Sequence, residues 1–459
     1  MYLQRFYDKG LAQASYLVGC QATGEAIVVD PARYTEPYHE AAKANGLRIV
    51  AVTETHIHAD FVSGSRQLAQ ESGAVMYLSG EGGPDWSYQF AGTQDKIVHD
   101  GDIIRIGNLT LKVLHTPGHT PEHISFLLTD HPASEQPMGV FTGDFLFVGD
   151  VGRPDLLERA AGFKDTMREG AKSLFRSLNQ FAKLPDHLQI WPAHGAGSAC
   201  GKALGAVPSS VLGFEKLSNW ALQVRSEEEF VEMILEGQPE PPKYFAQMKK
   251  INRMGPAVLD GKEAPLGDAA TLRNLLIEEV LIVDLRGAEA FAQEHLEGAL
   301  FLPSGDSLAN WAGWLLSYQK PFALLLSDRQ SAARALRSLS SIGLDNVSAV
   351  FLPATLKEAG LTMRKSQRVE ATEIDYQSEF VLDVRSQAEF DEGHLPNAHH
   401  IHLGYLTDRL GEIPEFPVVH CKSGMRSLIA SSLLERAGKS PRDILGGYQA
   451  IRACSLATA

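Results

Sequence analysis

The sequence predicts an α/β protein built from three domains, and three observations carry that expectation. Short β-branched runs alternate with polar, Gly-rich loops from the N-terminus to about residue 255. A stretch dense in proline and glycine then interrupts the pattern. The remainder of the chain contains an internal repeat. The chain has 459 residues, which suits three domains at roughly 150 residues each.

Taken in order, Ala26-Ile27-Val28-Val29-Asp30 and Leu47-Arg48-Ile49-Val50-Ala51-Val52-Thr53 have the composition of buried strands. Segments bearing His and Asp sit at the ends of such runs, where open sheets carry ligand sites. The breaker-rich stretch is Gly237-Gln238-Pro239-Glu240-Pro241-Pro242, followed by Gly255-Pro256 and Gly261-Lys262-Glu263-Ala264-Pro265. Prolines at this density stiffen a connector and end helices. In the repeat, Asp284, Arg286, Phe291, His295 and Ala299 recur with identical spacing as Asp383, Arg385, Phe390, His394 and Ala398. Each copy continues into a second strand (Phe322 to Leu326; Pro417 to Val419), a short loop and a helix. The predicted domains are therefore 1–260, 261–368 and 369–459.

Composition narrows the function. Lys plus Arg number 42 against 56 for Asp plus Glu, a net charge of −14, which disfavours binding to a nucleic-acid backbone. No run of 18 apolar residues occurs, so no membrane span is expected. Met1-Tyr2-Leu3-Gln4-Arg5-Phe6 lacks the pattern of a secretory signal. The four cysteines, Cys20, Cys200, Cys421 and Cys454, form no C-x-x-C pair. Together these features predict a reduced, cytoplasmic protein, with homo-oligomerisation left open.

Four segments of the first domain carry metal-binding side chains at strand ends: Thr55-His56-Ile57-His58-Ala59-Asp60-Phe61, His115-Thr116-Pro117-Gly118-His119-Thr120, Thr142-Gly143-Asp144 and Pro192-Ala193-His194-Gly195. Neutral imidazole and carboxylate hold divalent metals well. In this order the segments resemble the metallo-β-lactamase superfamily over about residues 1–255, which implies an αββα sandwich. Dinuclear hydrolases of that superfamily, such as glyoxalase II, carry a His directly after the Asp of H-x-H-x-D, where this chain has Phe61. Phenyl cannot ligate, which argues for one metal. Resemblance to the persulfide dioxygenase group implies one Fe(II) per chain on His56, His119 and Asp144, with His58, Asp60 and His194 as supporting or pocket residues. Two His and one carboxylate leave open positions, as non-haem iron oxygen chemistry requires. In Gly149-Asp150-Val151-Gly152-Arg153-Pro154-Asp155, Arg153 matches the group's arginine that faces a substrate carboxylate; the alternative is a structural arginine in a loop turn. Met248-Lys249-Lys250-Ile251-Asn252-Arg253 resembles the end of the group's domain and reads as a solvated helix face.

In the last domain the strand Val418-Val419-His420 leads into Cys421-Lys422-Ser423-Gly424-Met425-Arg426, then a helix closed by Gly438. Backbone N–H groups near a helix N-terminus, with Arg426, favour a thiolate. The C-x-x-G-x-R spacing resembles the rhodanese loop, as do Asp383-Val384-Arg385 and Gly446-Gly447-Tyr448; where that family often has Trp, this chain has Ile451. The resemblance implies Cys421 as the nucleophile that carries sulfane sulfur, Arg426 as its catalytic partner, and Lys422, Ser423, Gly424 and Met425 as the substrate-binding loop. The middle copy reads Ser327-Asp328-Arg329-Gln330-Ser331-Ala332-Ala333-Arg334, and no cysteine lies between residues 201 and 420. It is expected to be catalytically silent. His399, His400 and His402 lack acidic or thiol partners at ligand spacing and read as strand and loop residues; Cys20, Cys200 and Cys454 read as packing or surface residues.

These resemblances imply an iron dioxygenase that oxidises a low-molecular-weight thiol persulfide with O2 to sulfite and thiol, coupled through Cys421 to thiosulfate formation, in sulfide detoxification. A mononuclear zinc thioester hydrolase of the glyoxalase II type, fused to a sulfurtransferase, is the alternative enzyme. A non-catalytic sulfur-relay scaffold is a third reading, against which the complete His56, His119 and Asp144 set argues.

Overall fold

A computed structural model of the chain describes residues 1–159, 166–202, 204–261 and 264–454. Lys262 and Glu263 of the predicted connector lie outside the described residues. Two compact units divide at Asp260/Gly261, with Ser340–Gly343 grouping with the first. Among the described residues no helix is long and apolar enough to cross a membrane.

The first unit contains two six-stranded sheets. One runs Tyr2–Asp8, Gln13–Cys20, Glu25–Val29, Arg48–Thr53, Val75–Ser79 and Lys96–Val98 in sequence order. The other places Ser210–Val211 beside Gln189–Pro192, then Gly139–Gly143, Ile124–Asp130, Leu109–His115 and Ile103–Ile106. Strand alternation explains how the sheets stack. Tyr16, Val18, Ile27 and Val29 join Leu111, Val113, Phe126, Leu128, Phe141 and Trp191 in one buried cluster between the sheets. The alternate residues Leu17, Ala26 and Val28 pack outward on Tyr38, Ala41 and Leu68 of the helices Glu36–Ala44 and Ser65–Ser72. On the other side, Val140 and Ile190 pack on Leu174 and Leu178 of the helix Met167–Phe181 and on Phe230 of Glu227–Leu235. Strands with two apolar faces must be covered on both sides, and the outcome is the expected αββα sandwich.

The second unit contains two parallel sheets that share one strand order. Leu300–Phe301, Leu281–Asp284, Phe322–Leu325 and Val347–Phe351 lie side by side; so do His399–His400, Val381–Asp383, Val418–His420 and Arg442–Ile444, with Gln367–Val369 added at the far edge. The repeated residues explain themselves. Arg286 grips Asp284 with Nε–Oδ1 at 3.0 Å and Nη2–Oδ2 at 2.7 Å, and Arg385 grips Asp383 with 3.0 and 2.6 Å. His295 and His394 each bond through Nδ1 to the carbonyl of the repeated Phe, 2.9 Å in both copies. The rings stack on that Phe at 4.0 Å and 3.8 Å. A buried ion pair whose arginine also donates to a backbone carbonyl, Glu294 in one copy and Gly393 in the other, is costly to break by losing one partner. That is a physical reason for four of the five positions to recur in register.

Candidate functional site

The metal-binding side chains are delivered by loops leaving the strand ends, and their outer hydrogen bonds fix which nitrogen each imidazole presents. Thr55, just past Arg48–Thr53, donates its N–H to Asp30 Oδ1 at 2.7 Å and its hydroxyl to Oδ2 at 2.9 Å. With that hydroxyl hydrogen spent, Thr55 Oγ1 accepts from His56 Nδ1 at 3.0 Å, leaving Nε2 as a lone-pair donor. His119 Nδ1 donates to the Arg153 carbonyl and His194 Nδ1 to the Ala12 carbonyl, both at 3.0 Å. Each therefore also presents Nε2, the arrangement that orients metal-ligating histidines. Asp144 follows Gly139–Gly143, and its N–H donates to His123 Nε2 at 3.1 Å. His123 is itself held through Nδ1 on Thr116 Oγ1 at 2.8 Å.

The inward-facing atoms converge. His56 Nε2 lies 3.9 Å and His119 Nε2 3.5 Å from Asp144 Oδ2. All three residues are buried. His194 Nε2 lies 3.2 Å from Asp60 Oδ2 and 3.4 Å from Asp144 Oδ1 without an aligned hydrogen bond to either. His56 Nε2, His194 Nε2 and both oxygens of Asp60 and of Asp144 are buried without hydrogen-bond partners. Buried polar atoms left this way call for an ion. Burial, then the neighbouring imidazoles, hold His56 well below the ordinary histidine range. Burial also lowers His119 against the opposing charge of Asp144. Both are neutral, as ligands must be. At His194 burial is outweighed by Asp144, Cys200 and Asp60, which hold it well above that range: without a metal, two carboxylates retain a proton where a cation fits. The residues present thus fit a divalent metal on His56, His119 and Asp144.

His58 turns away from this point. Its Nε2 pairs with Asp30 Oδ1 at 3.1 Å, and although burial lowers it, Asp30, Glu54 and Asp60 lift it to about 9. Phe61 packs on the His58 ring at 4.4 Å. Asn252 holds the loop from behind: its amide donates to the carbonyls of His58 and Phe61 at 2.8 and 2.7 Å and accepts from Ser63 N–H at 2.9 Å. The helix Phe245–Met254 is therefore not simply the solvated face expected from Met248 to Arg253. Lys249 is buried over the Trp86 ring at 3.5 Å, and Asn252 is buried too.

Arg153 also departs from its expectation as a carboxylate clamp. It is fully buried, and its guanidinium is committed to this chain: Nε and Nη2 each donate to Asp155 at 2.7 Å, Nη2 to the Pro239 carbonyl at 2.7 Å and Nη1 to the Ala199 carbonyl at 3.2 Å. Desolvation of a guanidinium is tolerated only with such partners, which turns the donors inward. The neighbouring Gly152 explains the Gly-Arg pair, since a Cβ there would overlap the Asp144 carbonyl oxygen. Arg153→Ala is expected to destabilise the domain by about 3–5 kcal/mol through the stranded Asp155 and to lower metal retention. Denaturant melts and metal content measure this; an unchanged melt with a raised KM for a carboxylate-bearing substrate would restore the clamp.

In the second unit Cys421 is buried at the end of Val418–His420, and its Sγ accepts the Gly424 N–H at 3.1 Å. Lys422, Ser423 and Met425 are exposed around it, so the loop is open to a small solute. The Gly446-Gly447 pair has a steric cause. A Cβ on Gly447 would overlap the Cys421 carbonyl oxygen, which instead accepts the Tyr448 N–H at 2.7 Å. Arg426, expected beside the thiol, donates from Nη1 and Nη2 to Glu389 at 2.5 and 2.8 Å; it ties the loop helix to the segment after Asp383. Burial raises Glu389, but the hydrogen bond and charge of Arg426, with Ser386, outweigh it and lower its carboxyl to about 2. A depressed carboxyl stabilises the fold above its unfolded value of roughly 4.3 and loses that contribution as pH falls through the folded value. The melting-temperature gap between wild type and Glu389→Gln should therefore close between about pH 5 and about pH 2; a constant gap would rule out the ion pair as its source.

In the middle copy Leu325 pairs with Asp284 as His420 pairs with Asp383. Leu326, also buried, therefore stands where Cys421 stands. Asp328 caps the following helix by accepting the Ser331 N–H at 2.9 Å. His399 bonds Glu412 and His400 the Arg385 carbonyl, at 3.0 and 2.9 Å.

Comparison with known proteins agrees with this geometry. Residues 8–194 match the metallo-beta-lactamase superfamily and residues 366–454 the rhodanese-like domain. A metallo-beta-lactamase from Staphylococcus aureus of solved structure is 43% identical, with a TM-score of 0.70, covering 77% of this chain and 99% of that one. The chain belongs to the metallo-β-lactamase superfamily. The human mitochondrial persulfide dioxygenase ETHE1 is 31% identical over 196 residues, 42% of this chain and 67% of that protein. A hydroxyacylglutathione hydrolase from Prochlorococcus marinus is 31% identical over 174 residues, 38% of this chain and 62% of its own. The metallo-β-lactamase domain thus resembles an oxygenase and a hydrolase to the same degree.

Sequence reasoning missed Asp30, Glu122, His123, Asn252 and Cys200. Glu122 accepts the Ile57 N–H at 2.8 Å. An Asp ending a strand and a Glu-His pair just after the second motif were usable signals. Asn252 and Cys200 carried none, since each acts through a loop distant in sequence.

Proposed function

We propose that the chain is a non-haem iron persulfide dioxygenase joined to a rhodanese that carries sulfur on Cys421. The observation that carries this reading is the pairing, in one chain, of a buried two-His, one-carboxylate metal set with a cysteine whose loop neighbours are exposed. In the reaction R–S–SH, O2 and H2O give R–SH and H2SO3. The S–S bond breaks, the terminal sulfur loses four electrons and O2 gains them. Iron(II), when bound, supplies the redox chemistry and open positions for the reactants. The chain's own residues hold the site for it. Thr55, the Arg153 carbonyl and the Ala12 carbonyl lock the Nε2 faces, and Phe61 and Phe147 border the cluster with apolar rings. At the second site a Cys421 persulfide transfers its outer sulfur to sulfite, giving thiosulfate and the free thiol. With four free cysteines, we place this chemistry in the reducing cytoplasm, as sulfide detoxification.

Phe61, in the place of a second-metal histidine, supports oxidation over thioester hydrolysis. The decisive experiment is anaerobic purification, iron and zinc quantification, and O2 uptake with several low-molecular-weight thiol persulfides. One iron per chain with O2 consumed is expected. Zinc in its place, with thioester hydrolysis and no O2 uptake, would establish the hydrolase instead.

A further inference from the structure

The two copies of the repeat keep the same fold contacts and differ around the thiol, and the differences come as a set. Leu326 stands where Cys421 stands, and Leu325 stands where His420 stands, paired with Asp284 as His420 is with Asp383. Leu324 pairs with Val350 as Val419 pairs with Asp443. The same count onward sets Ala354 where Gly447 stands and Thr355 where Tyr448 stands. The grip of Arg on Asp and the stack of His on Phe survive in both copies. A side chain that serves the fold has a use in either copy, whereas one that serves the thiol has a use only where the thiol is. His420 and Tyr448 fall in the second class.

Both meet Cys421 at its backbone. The Cys421 carbonyl accepts the Tyr448 N–H at 2.7 Å and the His420 Nδ1–H at 3.4 Å. A carbonyl only accepts, so this bond puts the imidazole proton on Nδ1. Nε2 is then a lone pair, buried without a hydrogen-bond partner and 3.7 Å from Asp383 Oδ2. Burial holds His420 below the ordinary histidine range against the charge of Asp383, which keeps the ring neutral. The ring lies along Tyr448, with centroids 6.0 Å apart and 20° between planes, and the Arg385 guanidinium sits over Tyr448 at 3.9 Å. With its carbonyl turned to these two donors, Cys421 presents Sγ to the Gly424 N–H at 3.1 Å. Filling space alone would not call for a histidine here. An orphaned buried Nε2 is a cost, and Leu325 fills the same place in the other copy, fully buried.

We propose that His420 is a positioning residue of the sulfur-transfer site: through the Cys421 carbonyl it holds the loop in the form that aims Sγ at the Gly424 N–H. It acts through Cys421 and not on the substrate. Without the donor, the carbonyl is free to turn, the Gly424 contact loosens and the sulfur is a poorer nucleophile. Attack on sulfane sulfur should slow by roughly fivefold to tenfold, the worth of about one hydrogen bond. The inference rests on the reading of Cys421 as a sulfur carrier, and not on the metal centre.

Three variants of the full chain test this. His420→Leu installs the side chain that the middle copy carries at Leu325, His420→Phe keeps a flat ring beside Tyr448 without a donor, and His420→Asn returns an N–H in the place of Nδ1. Three measurements are made on each: the rate at which iodoacetamide labels the Cys421 peptide, kcat and KM for sulfur transfer from thiosulfate, and the melting temperature. The leucine and phenylalanine variants should lose labelling rate and kcat together, with KM changed less, and the asparagine variant should restore both rates. Labelling and kcat at wild-type values in a folded leucine or phenylalanine variant would overturn the proposal, as would an asparagine variant as slow as the leucine one. If His420→Leu melts early, His420→Phe carries the comparison. A wild type that labels at Cys421 but transfers no sulfur would sink the sulfur-carrier reading, while the labelling rates would still decide the role of His420.

Discussion

Asp144→Ala is expected to abolish iron retention and to lower O2 uptake with a thiol persulfide by at least about 100-fold, since losing an outer-shell partner alone costs roughly 10–100-fold. Asp144 Oδ2 lies 3.9 Å from His56 Nε2 and 3.5 Å from His119 Nε2, so its removal leaves two imidazoles without the carboxylate that completes the set. The variant should still fold. It removes a buried carboxylate that no hydrogen bond satisfies, and an uncompensated buried charge opposes folding. His119→Ala should likewise abolish uptake. In both variants, sulfur transfer from thiosulfate at Cys421 should stay at the wild-type rate, because the two chemistries use separate side chains. Iron quantification, oxygen-electrode rates and circular dichroism make the comparison. Normal iron and rate in Asp144→Ala would mean that another group holds the metal.

Cys421→Ser is expected to eliminate sulfur transfer while leaving O2 uptake and the fold unchanged. A hydroxyl cannot hold sulfane sulfur, yet it can accept the Gly424 N–H that the thiol accepts now. Incubating wild type with thiosulfate breaks its S–S bond, releases sulfite and leaves one added sulfur on the thiol. Peptide mass mapping should find that addition on the Cys421 peptide and lose it in Cys421→Ser. Asp328→Ala in the middle copy should change neither reaction, since Leu326 stands at the thiol position and Asp328 only caps a helix. Transfer at the wild-type rate in Cys421→Ser, with label on Cys20, Cys200 or Cys454, would overturn the assignment.

Much of the molecule is legible in the sequence alone. Motifs confined to short windows carry the family resemblance that implies the αββα sandwich and the set of His56, His119 and Asp144, and the strand–loop–helix around Cys421 is marked in the same way. Alternating apolar residues report two-faced strands, and a ligand at a strand end stays near its sheet edge whatever the distant chain does. The repeat is readable because four of its five positions serve contacts inside one copy: Arg on Asp, His on Phe.

What the tertiary structure decided concerns groups whose partners come from distant loops. Arg153 was legible as an arginine after a glycine, but not as a buried guanidinium spent on Asp155, Ala199 and Pro239. Arg426 was legible in the loop motif, but not its commitment to Glu389. Lys249 and Asn252 looked solvated because a helix face is assigned from its own residues, while Trp86 and the carbonyls of His58 and Phe61 lie elsewhere in the chain. Cys200 is the sharpest case. The sequence reads it as a packing or surface residue, and only the packing of its loop places its sulfur beside Asp60 and His194. Local pattern determines which atoms are available; which of them meet is set by long-range closure of loops, and no single stretch of sequence encodes that.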